Sequence, residues 1–381
     1  MNDPRVEKLA RVLVGYSTGV KKDDVVQIRG GTVAEPLVLA LAAEVVKAGG
    51  HPLIRVTPEE ITEILCRYGS DRQLAYVSPL AKREFRSVDV AISVWAHNNT
   101  RSLSNVDPRK QQLLSKARKP ILDIFMKRAA SKGPDRLRWT GTQFPCQASA
   151  QDAEMSLSEY EDFVYAGGLL HLPNPVAAWK KIHVAQQRLV DRLNKARQIR
   201  FVAPGGTDLR MSVRGRKWVN CSGHENFPDG EVFTAPLEDS TEGEVHYTFP
   251  AVYGGREVQD VVLSFKGGKV VDARAGKNED YLFKMMDQDR GGRTLGEIAI
   301  GTNYAIKRFS RNTLFDEKIG GTFHAALGAA YPETGGTNKS GLHWDMVCDL
   351  RKGGRIEVDG ELLLKNGRFA NARFPQPSRK S

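Results

Sequence analysis

The apolar pattern of the first half alternates between strand and helix periods. VVQIRGG, from Val25 to Gly31, is a short apolar run closed by glycines and predicts a strand. AEPLVLALAAEVVKAGG then sets Val38, Leu41, Ala42, Val45 and Val46 at helical spacing and stops at Gly49 and Gly50. HPLIRV follows as a second strand, which completes a βαβ unit with a right-handed crossover. VDVAISVWA and KPILDIFM predict two further buried strands. Gly30 and Gly31 end the first strand without a G-x-G-x-x-G pattern, so a structural turn is expected and a dinucleotide fingerprint is excluded.

Between Pro175 and Ala196, Trp179, Ile182, Leu189 and Leu193 recur at helical intervals among charges, predicting a helix that bridges the two halves. Beyond it, GTDLRMSVRGRKWVN, EGEVHYTFPAVYGG and VVLSFKGGKVVDARA read as short alternating strands joined by Gly-rich turns. The expected fold class is therefore α/β: an amino-terminal α/β domain with a mostly parallel sheet over residues 1–196, then a sheet-rich α+β domain over 197–381. The chain's 381 residues agree with two cores rather than one. The FPQPSRKS tail is expected to fray.

With 40% hydrophobic and 27% charged residues, the chain can build packed cores, which excludes disorder as its main state. No apolar run approaches the roughly 18 to 20 residues of a membrane span, and the amino terminus lacks a signal peptide's apolar centre, so a cytoplasmic address is expected. The four cysteines have no C-x-x-C spacing and read as reduced packing residues. Much of the net charge of +11 collects between Arg101 and Arg138, where eleven Lys or Arg face three Asp. No RNA-binding motif accompanies these charges, so a solvated helical face is expected there and no nucleic-acid partner.

The candidate chemistry lies late in the chain. His343 and Asp345 are two residues apart in SGLHWDM; on a strand they face one side while Trp344 packs on the other. Glu231 in NFPDGEVFTAP and Glu297 in TLGEIAIGTN are acids among residues expected to be buried, which is costly unless they share cations. His324, in GGTFHAALGAAY, adds a second imidazole. Three carboxylates and two imidazoles suit a pair of divalent ions such as zinc, cobalt or manganese, with Glu297 or Asp345 bridging them. Rival sites are absent from the sequence. HENFP is not H-E-x-x-H, and there is neither a G-x-S-x-G elbow nor a G-x-x-x-x-G-K-[ST] loop. The other six histidines read as structural.

NFPDGEVFTAP, LGEIAIGTN, NTLFDEKIGGTFHAALGAAYPET and SGLHWDM, in that order, resemble the aminopeptidase T family of metallopeptidases, metallopeptidase family twenty-nine. Weaker similarity runs through NPVAAW, EGEVHYTFP and FKGGKVVDARA, so the resemblance covers roughly residues 175–370. Carried over by position, it implies metal ligands at Glu231, Glu297, His324, His343 and Asp345, the five already selected by chemistry. It also implies a catalytic tyrosine at Tyr331, seven residues after His324, able to stabilise an oxyanion. One departure is the 19-residue step from His324 to His343, shorter than the family pattern.

The resemblance implies a metal-dependent aminopeptidase acting on the amino-terminal bond of short peptides, a two-domain homodimer with two divalent ions per chain, in which the first domain helps enclose the site. Two other readings stand beside it. Distant relatives of the fold use one iron to cleave aromatic rings, with the histidines and late aspartate but without both glutamates. A basic, non-catalytic binding protein of the same fold is the third.

Overall fold

The computed structural model describes residues 3–377, so the end of the FPQPSRKS tail lies outside the described residues. The chain divides into two compact units. One reaches to Val176 and takes in Gly223–Phe227; the other comprises Ala177–Ser222 and resumes at Pro228. No helix among the described residues is long and apolar enough to cross a membrane.

The first unit is built on a five-stranded parallel sheet in the order His51–Thr57, Val25–Gly31, Val90–Trp95, Arg138–Gln143, Asn226–Phe227. Its first crossover is the helix Glu35–Lys47, which buries Leu37, Val38, Leu41 and Val45 and ends before Gly49 at φ +82°. Val46, expected on the inner stripe, is 61% exposed, because at eight residues past Val38 it falls on the stripe's edge.

KPILDIFM is not a strand. It lies in the helix Pro108–Ala129, with Pro120 inside it. Ile121, Ile124 and Phe125 pack as a helical i, i+3, i+4 stripe against the cluster of Phe85, Val88, Ala91 and Leu137, so their period is helical and not that of a strand. The fourth strand is instead Arg138–Gln143, whose sequence RWTGTQ carries no aliphatic run. None of the helix's own residues is fully buried, and its basic side chains form the solvated face expected there.

The second unit packs two antiparallel sheets. The eight-stranded sheet includes Gln198–Ala203, Thr207–Ser212 and the hairpin Val262–Lys266 with Lys269–Arg274, whose turn residues Gly267 and Gly268 take φ +56° and +76°. The five-stranded sheet runs in the order His343–Asp349, Thr322–Gly328, Leu295–Gly301, Glu231–Thr234, Val219–Cys221. Ile199, Phe201, Leu209 and Met211 from the first sheet share a core with Ile298, Ile300, Phe323, Leu327, Trp344 and Met346 from the second. Phe201 and Phe323 stack across it with ring centroids 4.2 Å apart.

One irregularity in the smaller sheet decides where a charge points. Leu295 pairs with Leu327 and Glu297 with Ala326, so the strand Leu295–Gly301 gains one residue at Gly296. In a regular strand Leu295 and Glu297 would share a face. The bulge separates them, leaving Leu295 in the core and Glu297 on the opposite side. Gly296 is required there, since a Cβ would lie 2.2 Å from the Ala329 carbonyl oxygen. Gly296→Ala is expected to destabilise the protein by about 1–3 kcal/mol through this clash. Denaturant unfolding checks it, and a midpoint equal to that of the parent chain contradicts the bulge's role.

Candidate metal centre

Facing residues on paired strands project to the same side. Glu297 stands opposite Ala326, which stands opposite Asp345; His324 faces Ala299, Glu231 faces Gly301, and His343 faces Gly328. Each of the five predicted side chains therefore has an alanine or glycine beside it on a neighbouring strand, and these small residues leave room for the polar heads to converge. At Gly301 even a methyl group is excluded, because a Cβ would lie 2.1 Å from the Ile319 carbonyl oxygen.

All five converge. His324 Nε2 lies 3.2 Å from Glu297 Oε1 and 3.4 Å from Glu231 Oε2. His343 Nε2 lies 3.6 Å from Glu297 Oε2 and 3.6 Å from Asp345 Oδ1. Ligand-capable atoms form one group from Glu231, Glu297 and His324 and another from Glu297, His343 and Asp345, the atoms of each within 4.8 Å of one another. Trp344 turns to the core, against Tyr253 at 5.4 Å between centroids, while its neighbours His343 and Asp345 face the cluster. The Ala329 carbonyl accepts a hydrogen bond from His343 Nδ1 at 2.9 Å, which directs the unprotonated nitrogen of the neutral ring, Nε2, toward the carboxylates.

Tyr331 reaches the cluster by a turn and not by a helix. The strand Thr322–Gly328 ends before it, and the chain enters the short helical turn Pro332–Thr334 after it. Its ring packs edge-on against His343, with centroids 5.1 Å apart, and against Phe233 at 5.5 Å. Burial and the nearby Glu297 and Asp345 carboxylates raise the phenol far above its ordinary pKa, so it is a hydrogen-bond donor at neutral pH.

The electrostatics of the cluster favour a bound cation. Burial pushes the Glu231 carboxyl well above its ordinary range, against the pull of Lys318. Burial also raises Glu297, opposed by its hydrogen bond to His324. Burial disfavours the His324 imidazolium, yet Glu297, Glu231 and Asp345 outweigh it and carry the group up to about 10. His343 is raised by Asp345 and Glu297 against its own burial. Each of these shifts reflects the same shortage of positive charge among buried carboxylates. Glu231 Oε2 and Asp345 Oδ1 are buried without a hydrogen-bond partner among the described residues. Two imidazoles and three carboxylates with unfilled acceptor positions fit divalent ions.

Two charged groups at the cluster escaped the sequence reading. Lys318 is fully buried, with Nζ 3.5 Å from Glu231 Oε1 and bonded to the Glu317 carboxylate. Glu317 also offers an oxygen within 4.8 Å of ligand atoms of His324 and Asp345. The only signal was the charged triplet in FDEKIGGT, which resembles a solvated turn.

The pattern defining the thermophilic metalloprotease family (M29) matches residues 2–369. The chain belongs to that family and is a metal-dependent peptidase, and the likeness extends through the first unit as well as the second. Aminopeptidase 2 of Geobacillus stearothermophilus is 27% identical over 412 residues, covering 97% of this chain and 98% of the relative. The structure of wild-type AmpT from Thermus thermophilus matches with a TM-score of 0.83 at 24% identity, over 97% of this chain and 99% of that one. The 2,5-dihydroxypyridine dioxygenase of Pseudomonas putida KT2440 matches with a TM-score of 0.59 at 17% identity, over 97% of this chain and 98% of that one, a likeness of fold.

Because ligating imidazoles must be neutral and carboxylates ionised, loading the centre must displace protons. With His324 protonated up to about pH 10, zinc or cobalt binding at pH 7 is expected to release about one proton or more per chain. Calorimetry in buffers of different ionisation enthalpy measures this. Identical heats in every buffer contradict it.

Proposed function

We propose that this metalloprotease is an aminopeptidase, removing the amino-terminal residue of short peptides at a dinuclear centre carried by residues 197–381. Glu231 and His324 would hold one ion, His343 and Asp345 the other, and Glu297 would span both. The observation that supports this reading is the division of Glu297, whose Oε1 approaches His324 and Oε2 approaches His343. Of the two bridging candidates left open by the sequence, this favours Glu297 over Asp345. The names of the relatives, aminopeptidases in each curated case, support the exopeptidase reading. A homodimer accompanies it on the family resemblance alone, and a cytoplasmic address on the amino-acid sequence alone.

When bound, zinc, cobalt or manganese would supply Lewis acidity: polarisation of the scissile carbonyl, a seat for the substrate's free amine, and a fall in the pKa of water from about 15.7 to about 7. The chain's own residues do the rest. Tyr331, protonated at neutral pH, donates a hydrogen bond to the oxygen that becomes negative as the carbonyl turns tetrahedral. Glu231 or Glu297 carries a proton toward the departing amine. The Ala329 carbonyl fixes the His343 ring, so the side of the site nearest Tyr331 is held in one orientation.

The ring-cleaving reading draws only on fold likeness, and the presence of Glu231 and Glu297 within the same cluster argues against a site for one iron. Incubating the protein with cobalt, zinc or manganese and a mixed peptide library, then mapping products by mass, tests the function. Stepwise shortening from the amino end is expected; internal cuts, or oxygen uptake with about one iron per chain, contradict it. Tyr331→Phe is expected to lower kcat about 100-fold with metal content unchanged. Glu297→Gln is expected to lose activity together with metal, and full loading with retained turnover would remove its essential role.

A further inference from the structure

A lysine ammonium without any exposed surface is costly, by several kcal/mol after relaxation, unless its partners are well placed. Lys318 sits in such a position, and its partners come from two places in the chain. Glu317 is its sequence neighbour; Glu231 stands at the start of the strand Glu231–Thr234, far off in sequence. Burial works against the charged ammonium, and the carboxylates of Glu231, Glu317 and Asp229 offset that cost.

The segment that presents Lys318 is itself fixed. Asn312 caps the turn Thr313–Asp316, and the buried Asp316 carboxylate accepts from Ser310 N at 2.7 Å and from its hydroxyl at 2.8 Å. The Lys318 carbonyl accepts from Asn303 N at 3.0 Å. On the other side, Gln186 Nε2 donates to the Glu231 backbone carbonyl at 2.8 Å, which holds the main chain but not the carboxylate. The carboxylate has one oxygen toward Lys318 at 3.5 Å and the other toward His324 at 3.4 Å, the latter without a hydrogen bond. Lys318 carries the ammonium paired with this carboxylate among the described residues, and the other ligand-type groups beside it, Cys221 and Asp229, carry no positive charge.

We infer that Lys318, clamped by Glu317, is a positioning residue of the metal centre: it holds Glu231 Oε1 so that Oε2 faces the His324 side, and thereby sets metal affinity on that side. The inference rests on the proposed reading of Glu231 as a ligand. Lys318 does not enter the centre itself, since its ammonium has no lone pair to donate. Its fixed positive charge offsets one of the five carboxylates of Asp229, Glu231, Glu297, Glu317 and Asp345, which lets them gather before any ion arrives.

Calorimetric titration of the metal-free full chain with zinc tests this, using Lys318→Met, Glu231→Gln and the double variant. In Lys318→Met, one of two equivalents is expected to bind about 10- to 100-fold more weakly and the other as in the parent chain. If Lys318 acts through Glu231, the double variant is expected to lose no more than Glu231→Gln alone. Parent-like affinity for both equivalents in Lys318→Met, with affinity lost in Glu231→Gln, overturns the inference and leaves the ligand reading standing. A further independent loss in the double variant overturns it as well. Parent-like affinity in Glu231→Gln overturns the ligand reading and the inference together. Should Lys318→Met not fold, as judged by its circular dichroism melt, Lys318→Met with Glu317→Gln removes both charges of the clamp and carries the same expectations.

Discussion

Gathering like charges in a dry place is the constraint on which the second unit depends. Glu231 and Glu297 are nearly inaccessible to solvent, with Asp345 and Glu317 beside them, and such carboxylates repel one another and lose hydration together. The sheet meets this in three ways. It aligns alanine or glycine opposite each polar head, it backs the cluster with an apolar sandwich that fixes the strands, and it places one buried ammonium at the edge. What remains uncompensated is negative charge that a divalent ion would offset.

The same constraint separates fold from chemistry. An aminopeptidase structure and a dioxygenase structure both align with nearly the whole chain, so the architecture does not select a reaction. Selection falls to the side chains on one face of one sheet. There the bulge at Gly296 is decisive in a physical sense, because it converts a strand that would bury Glu297 with Leu295 into one that turns the carboxylate to the imidazoles.

Much of this was legible in the sequence, and the reasons differ from place to place. HWD declared its geometry because alternation on a strand is rigid, and Trp344 marked the core side. Glu231 and Glu297 stood out as acids within apolar strands. The βαβ start followed from helical spacing between two apolar runs. KPILDIFM misled because a short apolar run has no length to distinguish the two periods, and it lies inside a continuous helix. Lys318 was hidden because a charged triplet reads as surface, and only tertiary pairing with a distant glutamate brings it inside. The bulge left a weak mark, a single glycine before Glu297, and its effect depends on a carbonyl of the neighbouring segment.

Glu297 is the residue proposed to span two ions, and every other proposed role is arranged around it. Anomalous X-ray scattering at the zinc edge, from crystals of the zinc-loaded protein, tests it most directly. The account predicts two peaks, one beside Glu231 and His324 and one beside His343 and Asp345, each within about 2.3 Å of a Glu297 oxygen. A single peak, or a Glu297 carboxylate that reaches neither, contradicts it.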